Sequence, residues 1–222
     1  MIKLQIKKLL FVKQLFCLHL GMKYSYLALG DSYTIGEQVL PEENFPHQTV
    51  ALLQQQAIEV DALQIIAQTG WTTDELDAAI TAATVAGQFD IVSLLIGVNN
   101  QYRGRSVSNF KIEFEQLLQR AVQFAANKPN HVFVVSIPDW GVTPFAAGRD
   151  SKQIAAEIDA YNKTCEVEAK QCGVHFINIT ASQRADGSKD EFLAQDKLHP
   201  SGKEYAKWAK QLSAAIKNEI SK

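Results

Sequence analysis

Five short apolar runs, at residues 24–29, 60–67, 90–96, 132–137 and 174–179, alternate with longer stretches that have the marks of helices. That alternation leaves few folds open. Apolar runs of this length, closed by glycine, asparagine or proline, read as strands buried on both faces, as strands of parallel sheets are. The run at 90–96, DIVSLLI, is the most apolar and reads as a central strand. Between the runs, five helices are expected. One covers 45–56, with Phe45, Val50, Leu52 and Leu53 available to a core. The next opens on the capping-box pair Thr72 and Glu75 and runs to about residue 85, before Gly87. A third shows Phe110, Phe114, Leu117, Ala121 and Phe124 on one face. A fourth runs from Asp150 and Gln153 to near Gly173. The last starts at Ser201 with Glu204 three residues on, and its apolar face is Tyr205, Trp208, Leu212 and Ile216. Strands alternating with helices give a five-stranded parallel sheet covered on both faces, a flavodoxin-like doubly wound α/β domain.

Size and charge narrow the function. A chain of 222 residues is most simply one domain here, spanning 22–222, and it is large enough to bury roughly 70% of the surface of its unfolded form. With 22 basic and 24 acidic residues and no long run of either sign, nothing calls for a nucleic-acid partner, so the expected partner is a small molecule. Cys17, Cys165 and Cys172 are odd in number, and the last two are seven apart in one expected helix, so all three are expected as free thiols. At residues 1–21, lysines precede an apolar run in the order of a signal peptide. Lys13, Gln14 and His19 interrupt that run, however, and no small-residue cleavage site follows. The run is also short of the ~20 apolar residues that span a bilayer. The reading adopted is a cytoplasmic protein whose domain starts at Met22, with secretion or a periplasmic location as the alternative. No oligomeric state is assigned.

In a sheet of this kind ligands bind in the crevice beyond the carboxyl ends of the strands. Ser32, Gly70 and Asn99 each follow a different strand, so the fold brings them to that one edge. A serine hydroxyl becomes a nucleophile when a base takes its proton, and the usual base is a histidine oriented by a carboxylate. Asp196 and His199, three residues apart before the last helix, supply both. Acyl transfer also needs donors for an oxyanion. The backbone N–H groups of Ser32 and Gly70 and the side-chain amide of Asn99 fill that role.

These residues, in this order, resemble the SGNH or GDSL hydrolase family. The blocks are GDSY at 30–33, a glycine at Gly70, GVNN at 97–100 and DKLHP at 196–200, and the resemblance spans about residues 23–215. It implies a three-layer α/β/α sandwich, with Ser32 as nucleophile, Asp196 and His199 completing a triad, and Ser32, Gly70 and Asn99 forming the oxyanion hole. Asn100 stands where the family usually has aspartate, and the match around Gly70 is loose. The activity implied is hydrolysis of carboxylic esters or thioesters, with small acyl groups favoured. Carbohydrate O-deacetylation, lysophospholipid hydrolysis, acyl transfer to an alcohol and a non-catalytic binding domain remain open. No metal or other cofactor is required.

Taken singly, each of these residues has a plain structural reading. Ser32 can cap a helix, Gly70 can form a turn and Asn99 a loop. Only their joint occurrence favours catalysis. Trp71, Tyr102 and Trp140 fall in loops at the same edge and are candidates to line an acyl or alcohol pocket, or simply to close the core. Arg103 and Arg105 are either solvated charges or the recognition point for an anionic substrate group. His19, His47, His131 and His175 are expected at the surface or in packing roles.

Overall fold

The computed structural model describes residues 23–85 and 87–221, so Cys17, His19 and the expectations for residues 1–21 lie outside the described residues. Five parallel strands form one sheet: β1 (Lys23–Asp31), β2 (Glu59–Gln68), β3 (Ile91–Leu95), β4 (Val132–Val135) and β5 (His175–Ile177). Their order, β2-β1-β3-β4-β5, is the flavodoxin-like one, with its switch point between β1 and β3. The inner strands carry the apolar runs. Tyr26 to Leu29 of β1 and all of β3 are buried, while the edge strands β2 and β5 are partly open. The one polar residue inside β3, Ser93, is satisfied by the Tyr26 hydroxyl at 2.8 Å.

Among the described residues eight α-helices flank the sheet: α1 (Ser32–Ile35), α2 (Phe45–Gln55), α3 (Thr73–Ala82), α4 (Val98–Tyr102), α5 (Val107–Phe124), α6 (Ser151–Gln171), α7 (Thr180–Asp186) and α8 (Gly202–Ile220). α2 and α8 pack on each other on one side, and α5 packs between α3 and α6 on the other. The expected faces are the ones buried: Phe110, Phe114, Leu117 and Ala121 in α5, and Tyr205, Trp208, Leu212 and Ile216 in α8. Phe45 of α2 joins Tyr205 and Trp208 in a ring cluster, with centroids 6.4 and 6.2 Å away. Val50 and Leu52, by contrast, are only partly buried. Cys165 is buried and Cys172 exposed, and both are free thiols. No helix among the described residues is long and apolar enough to cross a membrane.

Several boundaries differ from the sequence reading, each for a local reason. β4 and β5 stop early because side chains take over their backbone pairing: the Ile137 N–H donates to Asn162 Oδ1 at 2.7 Å and the Ile179 N–H to Ser136 Oγ at 2.9 Å. α3 ends at Ala82, since Thr84 already takes a positive φ. The expected capping box at α8 does not form. The Ser201 hydroxyl donates to the Glu191 carbonyl at 2.8 Å, and buried Glu204 accepts instead from Trp208 Nε1 at 3.0 Å and Lys207 Nζ at 2.7 Å. At α3 half of the box is present, the Thr72 N–H donating to Glu75 Oε2 at 2.8 Å. α4 and α7, at five and seven residues, are too short to show a helical period and fell within expected loops or strand ends.

The turn from β1 into α1 is the tightest point of the fold. A Cβ on Gly30 would lie 2.1 Å from Thr34 Oγ1 and 2.4 Å from the Leu95 carbonyl oxygen of β3. Neither the strand nor the buried threonine has space to yield. Gly30→Ala is therefore expected to cost at least about 3 kcal/mol of stability, measured as a lowered urea midpoint with an unchanged denaturant slope.

Candidate active site

Ser32 is the first residue of α1, directly beyond the carboxyl end of β1, and is 5% exposed. The turn is fixed by Asp31, whose Oδ1 accepts the Tyr33 N–H at 3.0 Å as a helix N-cap. His199 comes from the far end of the chain. Its Nε2 lies 3.0 Å from Ser32 Oγ, and its Nδ1 lies 2.5 Å from Asp196 Oδ2. A carboxylate only accepts, so Nδ1 carries the proton there and Nε2 presents its lone pair to the serine hydroxyl.

The segment 196–199 holds this geometry by itself. Asp196 Oδ1 accepts the N–H groups of Leu198 and His199, each at 3.0 Å, while Lys197 takes a φ of 60°. This is an aspartate turn whose second oxygen is left over for the imidazole. The Ala194 N–H closes the loop on the His199 carbonyl at 2.8 Å. From outside, the Tyr33 ring packs against His199 with centroids 5.3 Å apart.

Two carboxyl groups beside the serine are pushed in opposite directions. Partial burial raises Asp196, but the bonds from the His199 ring and from the Leu198 and His199 N–H groups outweigh it, and its pKa ends below the usual carboxylate value. Asp31 is wholly buried, its Oδ2 has no hydrogen-bond partner among the described residues, and burial pushes its pKa up to about 7 against the smaller opposing effect of the Tyr33 N–H.

Gly70 and Asn99 reach the same corner. Gly70 takes a φ of 86°, a left-handed conformation that favours glycine, and among the described residues its N–H is not spent on another backbone group. Its carbonyl accepts from Arg103 Nη2 at 2.6 Å. Asn99 Nδ2 donates one hydrogen to the Trp71 carbonyl at 2.9 Å, which orients the amide and leaves its second N–H available. The two segments are tied by Asn100, which is fully buried. Its Oδ1 accepts the Thr73 N–H at 3.1 Å, and its Nδ2 donates to Thr73 Oγ1 at 2.6 Å and, at 3.4 Å, towards Glu113 Oε2. An aspartate has no such donor and would set a second negative charge against Glu113, so the asparagine suits its neighbour.

Ser32, His199, Gly70 and Asn99 meet in a cavity of about 220 Å³ whose apolar wall is made by Tyr102, Trp140, Phe145 and Leu198. Tyr102 and Trp140 fall where the sequence put them, with centroids 5.4 Å apart in an edge-on contact. Trp71 does not line the cavity: its ring packs against the core and only its carbonyl serves the site. Of the two readings of Arg103 and Arg105, the structure agrees with surface charges: Glu75 pairs with the first at 3.1 Å and Asp74 with the second at 2.6 Å. His47 and His131 bond to Asn44 and the Asp90 carbonyl, and His175 pairs with Glu219 and stacks on Phe133. Sequence reasoning missed Asp31, Phe145 and Leu198. Asp31 and Leu198 lie inside the GDSY and DKLHP blocks, whereas Phe145 sits in a loop without pattern.

The sequence model of the GDSL-like lipase/acylhydrolase family matches residues 28–207. The chain belongs to this family. It is accordingly an ester-hydrolysing enzyme with the three-layer α/β/α architecture. No curated protein sequence matches it. Among solved structures it is similar to a psychrotrophic esterase from Pseudoalteromonas sp., inhibited by monoethylphosphonate, with a TM-score of 0.66 and 17% identity over 90% of this chain and 100% of that one. A lipase/acylhydrolase from Enterococcus faecalis gives 0.68 and 18% over 88% and 96%. An acetyl-xylooligosaccharide esterase from Geobacillus gives 0.65 and 20% over 91% and 96%. At these identities the likeness is one of fold.

The buried carboxyl of Asp31 makes stability depend on pH. Its folded-state pKa of about 7 lies above the ordinary value of 3.8, so the fold holds this proton more tightly than the unfolded chain does. The stability this provides is complete below pH ~4 and is lost as pH rises through ~7. Asp31→Asn keeps the acceptor for the Tyr33 N–H but cannot ionise. Its stability relative to the parent protein is expected to grow from pH 4 to 7 and then level off, measured by urea midpoints across that range. Parallel profiles would remove Asp31 as the titrating group.

Proposed function

We propose that the protein hydrolyses carboxylic esters of small acyl groups through a covalent acyl-enzyme on Ser32. The observation that carries this reading is the continuous line from Asp196 through His199 to Ser32 Oγ, at 2.5 and 3.0 Å. Ser32 Oγ attacks the ester carbonyl carbon as His199 Nε2 takes its proton. The electron pair of the C=O bond moves onto oxygen, towards the N–H groups of Ser32 and Gly70 and the remaining N–H of Asn99. Collapse expels the alcohol, which leaves with the proton from His199. Water then attacks the acyl-enzyme, gives its proton to His199, and the acid leaves as that proton returns to Ser32. Asp196 orients the imidazole and stabilises its charged form.

The cavity volume supports the preference for small acyl groups. At about 220 Å³ it is a small cavity, suited to a short acyl group. Deacetylation of carbohydrate is the second reading, and the Geobacillus fold relative, an acetyl-xylooligosaccharide esterase, favours it.

A fluorophosphonate tests the proposal without knowledge of the substrate. Intact mass should show a single adduct on the parent protein and none on Ser32→Ala. Asn99→Ala should keep the adduct while kcat on a short-chain ester falls by ~10²–10³ with KM little changed. A folded parent protein that takes no adduct would rule out an activated Ser32.

A further inference from the structure

Arg149, in the loop before α6, has no carboxylate partner among the described residues, whereas Arg103 and Arg105 are both paired. Its guanidinium carbon lies 5.1, 5.2 and 5.9 Å from the ring centroids of Tyr102, Trp140 and Phe145, and its Nη2 donates to the Tyr102 hydroxyl at 3.0 Å. Those three rings are the wall of the cavity that contains Ser32. Asp150 and Glu157 line the same pocket as Arg149 but accept their hydrogen bonds from neutral donors rather than from Arg149. Asp150 Oδ1 caps α6 by accepting the Lys152 and Gln153 N–H groups, each at 3.0 Å. Glu157 accepts from Gln101 Nε2 at 2.6 Å and from Gln153 Nε2 at 2.9 Å. Gln101 in turn accepts from Trp140 Nε1 at 2.8 Å, so the ring beneath the guanidinium is fixed.

Aromatic faces hold a guanidinium in place at little cost in hydration and leave its in-plane N–H groups free for a carboxylate. The rim is open to solvent, since Tyr102 is 48% and Phe145 42% exposed. A cation with no ion pair among the described residues therefore stands against the aromatic wall of the reaction cavity, in an adjoining pocket that Asp150 and Glu157 also line. We propose that Arg149 is a specificity residue that docks an anionic group of the substrate, so that the ester hydrolysed at Ser32 carries a carboxylate or similar anion beyond the Tyr102–Trp140 wall. This rests on the acyl-transfer reading of the site. The anion belongs to either the acyl or the alcohol part, and the chemistry at Arg149 is the same.

Two pairs of esters distinguish these sources. Monomethyl glutarate against methyl valerate places the anion on the acyl part, and the acetyl ester of γ-hydroxybutyrate against butyl acetate places it on the alcohol part. In one pair the parent protein should prefer the anionic ester in kcat/KM. That ratio should fall about tenfold or more in Arg149→Met, be partly kept in Arg149→Lys, and shrink as salt rises from about 0.05 to about 0.5 M. A ratio equal in the parent protein and Arg149→Met, for both pairs, overturns the proposal. Calorimetric titration with glutarate needs no turnover and should show weaker binding to Arg149→Met. If Ser32 takes no fluorophosphonate and no ester is cleaved, the acyl-transfer reading fails and the glutarate titration decides alone. Equal affinity, or no binding to either protein, then overturns the role of Arg149.

Discussion

The site depends on β1 being buried on both faces and having no spare room where it ends. Tyr26 to Leu29 are shielded from solvent, and β1 pairs with β2 along its length on one side and, from Tyr26 to Gly30, with β3 on the other. A strand so enclosed cannot slip without unpairing its backbone, which is costly away from water. The point at which the chain leaves the sheet is therefore fixed, and Gly30 brings Thr34 and the Leu95 carbonyl against the turn. Ser32 is presented by a rigid corner, and His199, arriving from the last loop, has a stationary hydroxyl to meet.

That rigidity has an electrostatic cost that the fold places beside the serine. Asp31 is enclosed with one oxygen unpartnered, whereas Asp196, less buried, gathers three hydrogen bonds around its two oxygens. Identical side chains near the serine thus hold their protons differently for a physical reason: one is desolvated with a single donor, the other is solvated in part and surrounded by donors.

The cations follow the same logic in reverse. Arg103 and Arg105 tie the Gly70 and Asn99 segments together through Glu75, Asp74 and the Gly70 carbonyl, and so belong to the scaffold of the site. Arg149 is held by aromatic faces, which fix its place without cancelling its charge. Nothing about an arginine in a sequence says which of these fates it meets. Pairing depends on which acids the fold brings within reach.

The alternation of apolar runs and helical faces was enough to read the parallel sheet, the direction of its strands and the edge at which loops carry chemistry, because burial on two faces writes a continuous apolar run that no other arrangement needs. The meeting of Ser32, Asp196, His199, Asn99 and Gly70 in one corner was legible for the same reason, since each sits a fixed step beyond a strand or within a short self-contained turn. What the sequence left open was everything set by contacts between distant segments. The failed cap at Ser201, the turning of Trp71 towards the core, the early ends of β4 and β5, the orphan oxygen of Asp31 and the fit of Asn100 against Glu113 all follow from partners tens of residues away or from burial. Local order is encoded in neighbours along the chain, but the charge, solvation and direction of a side chain are decided by whatever the closed fold packs against it.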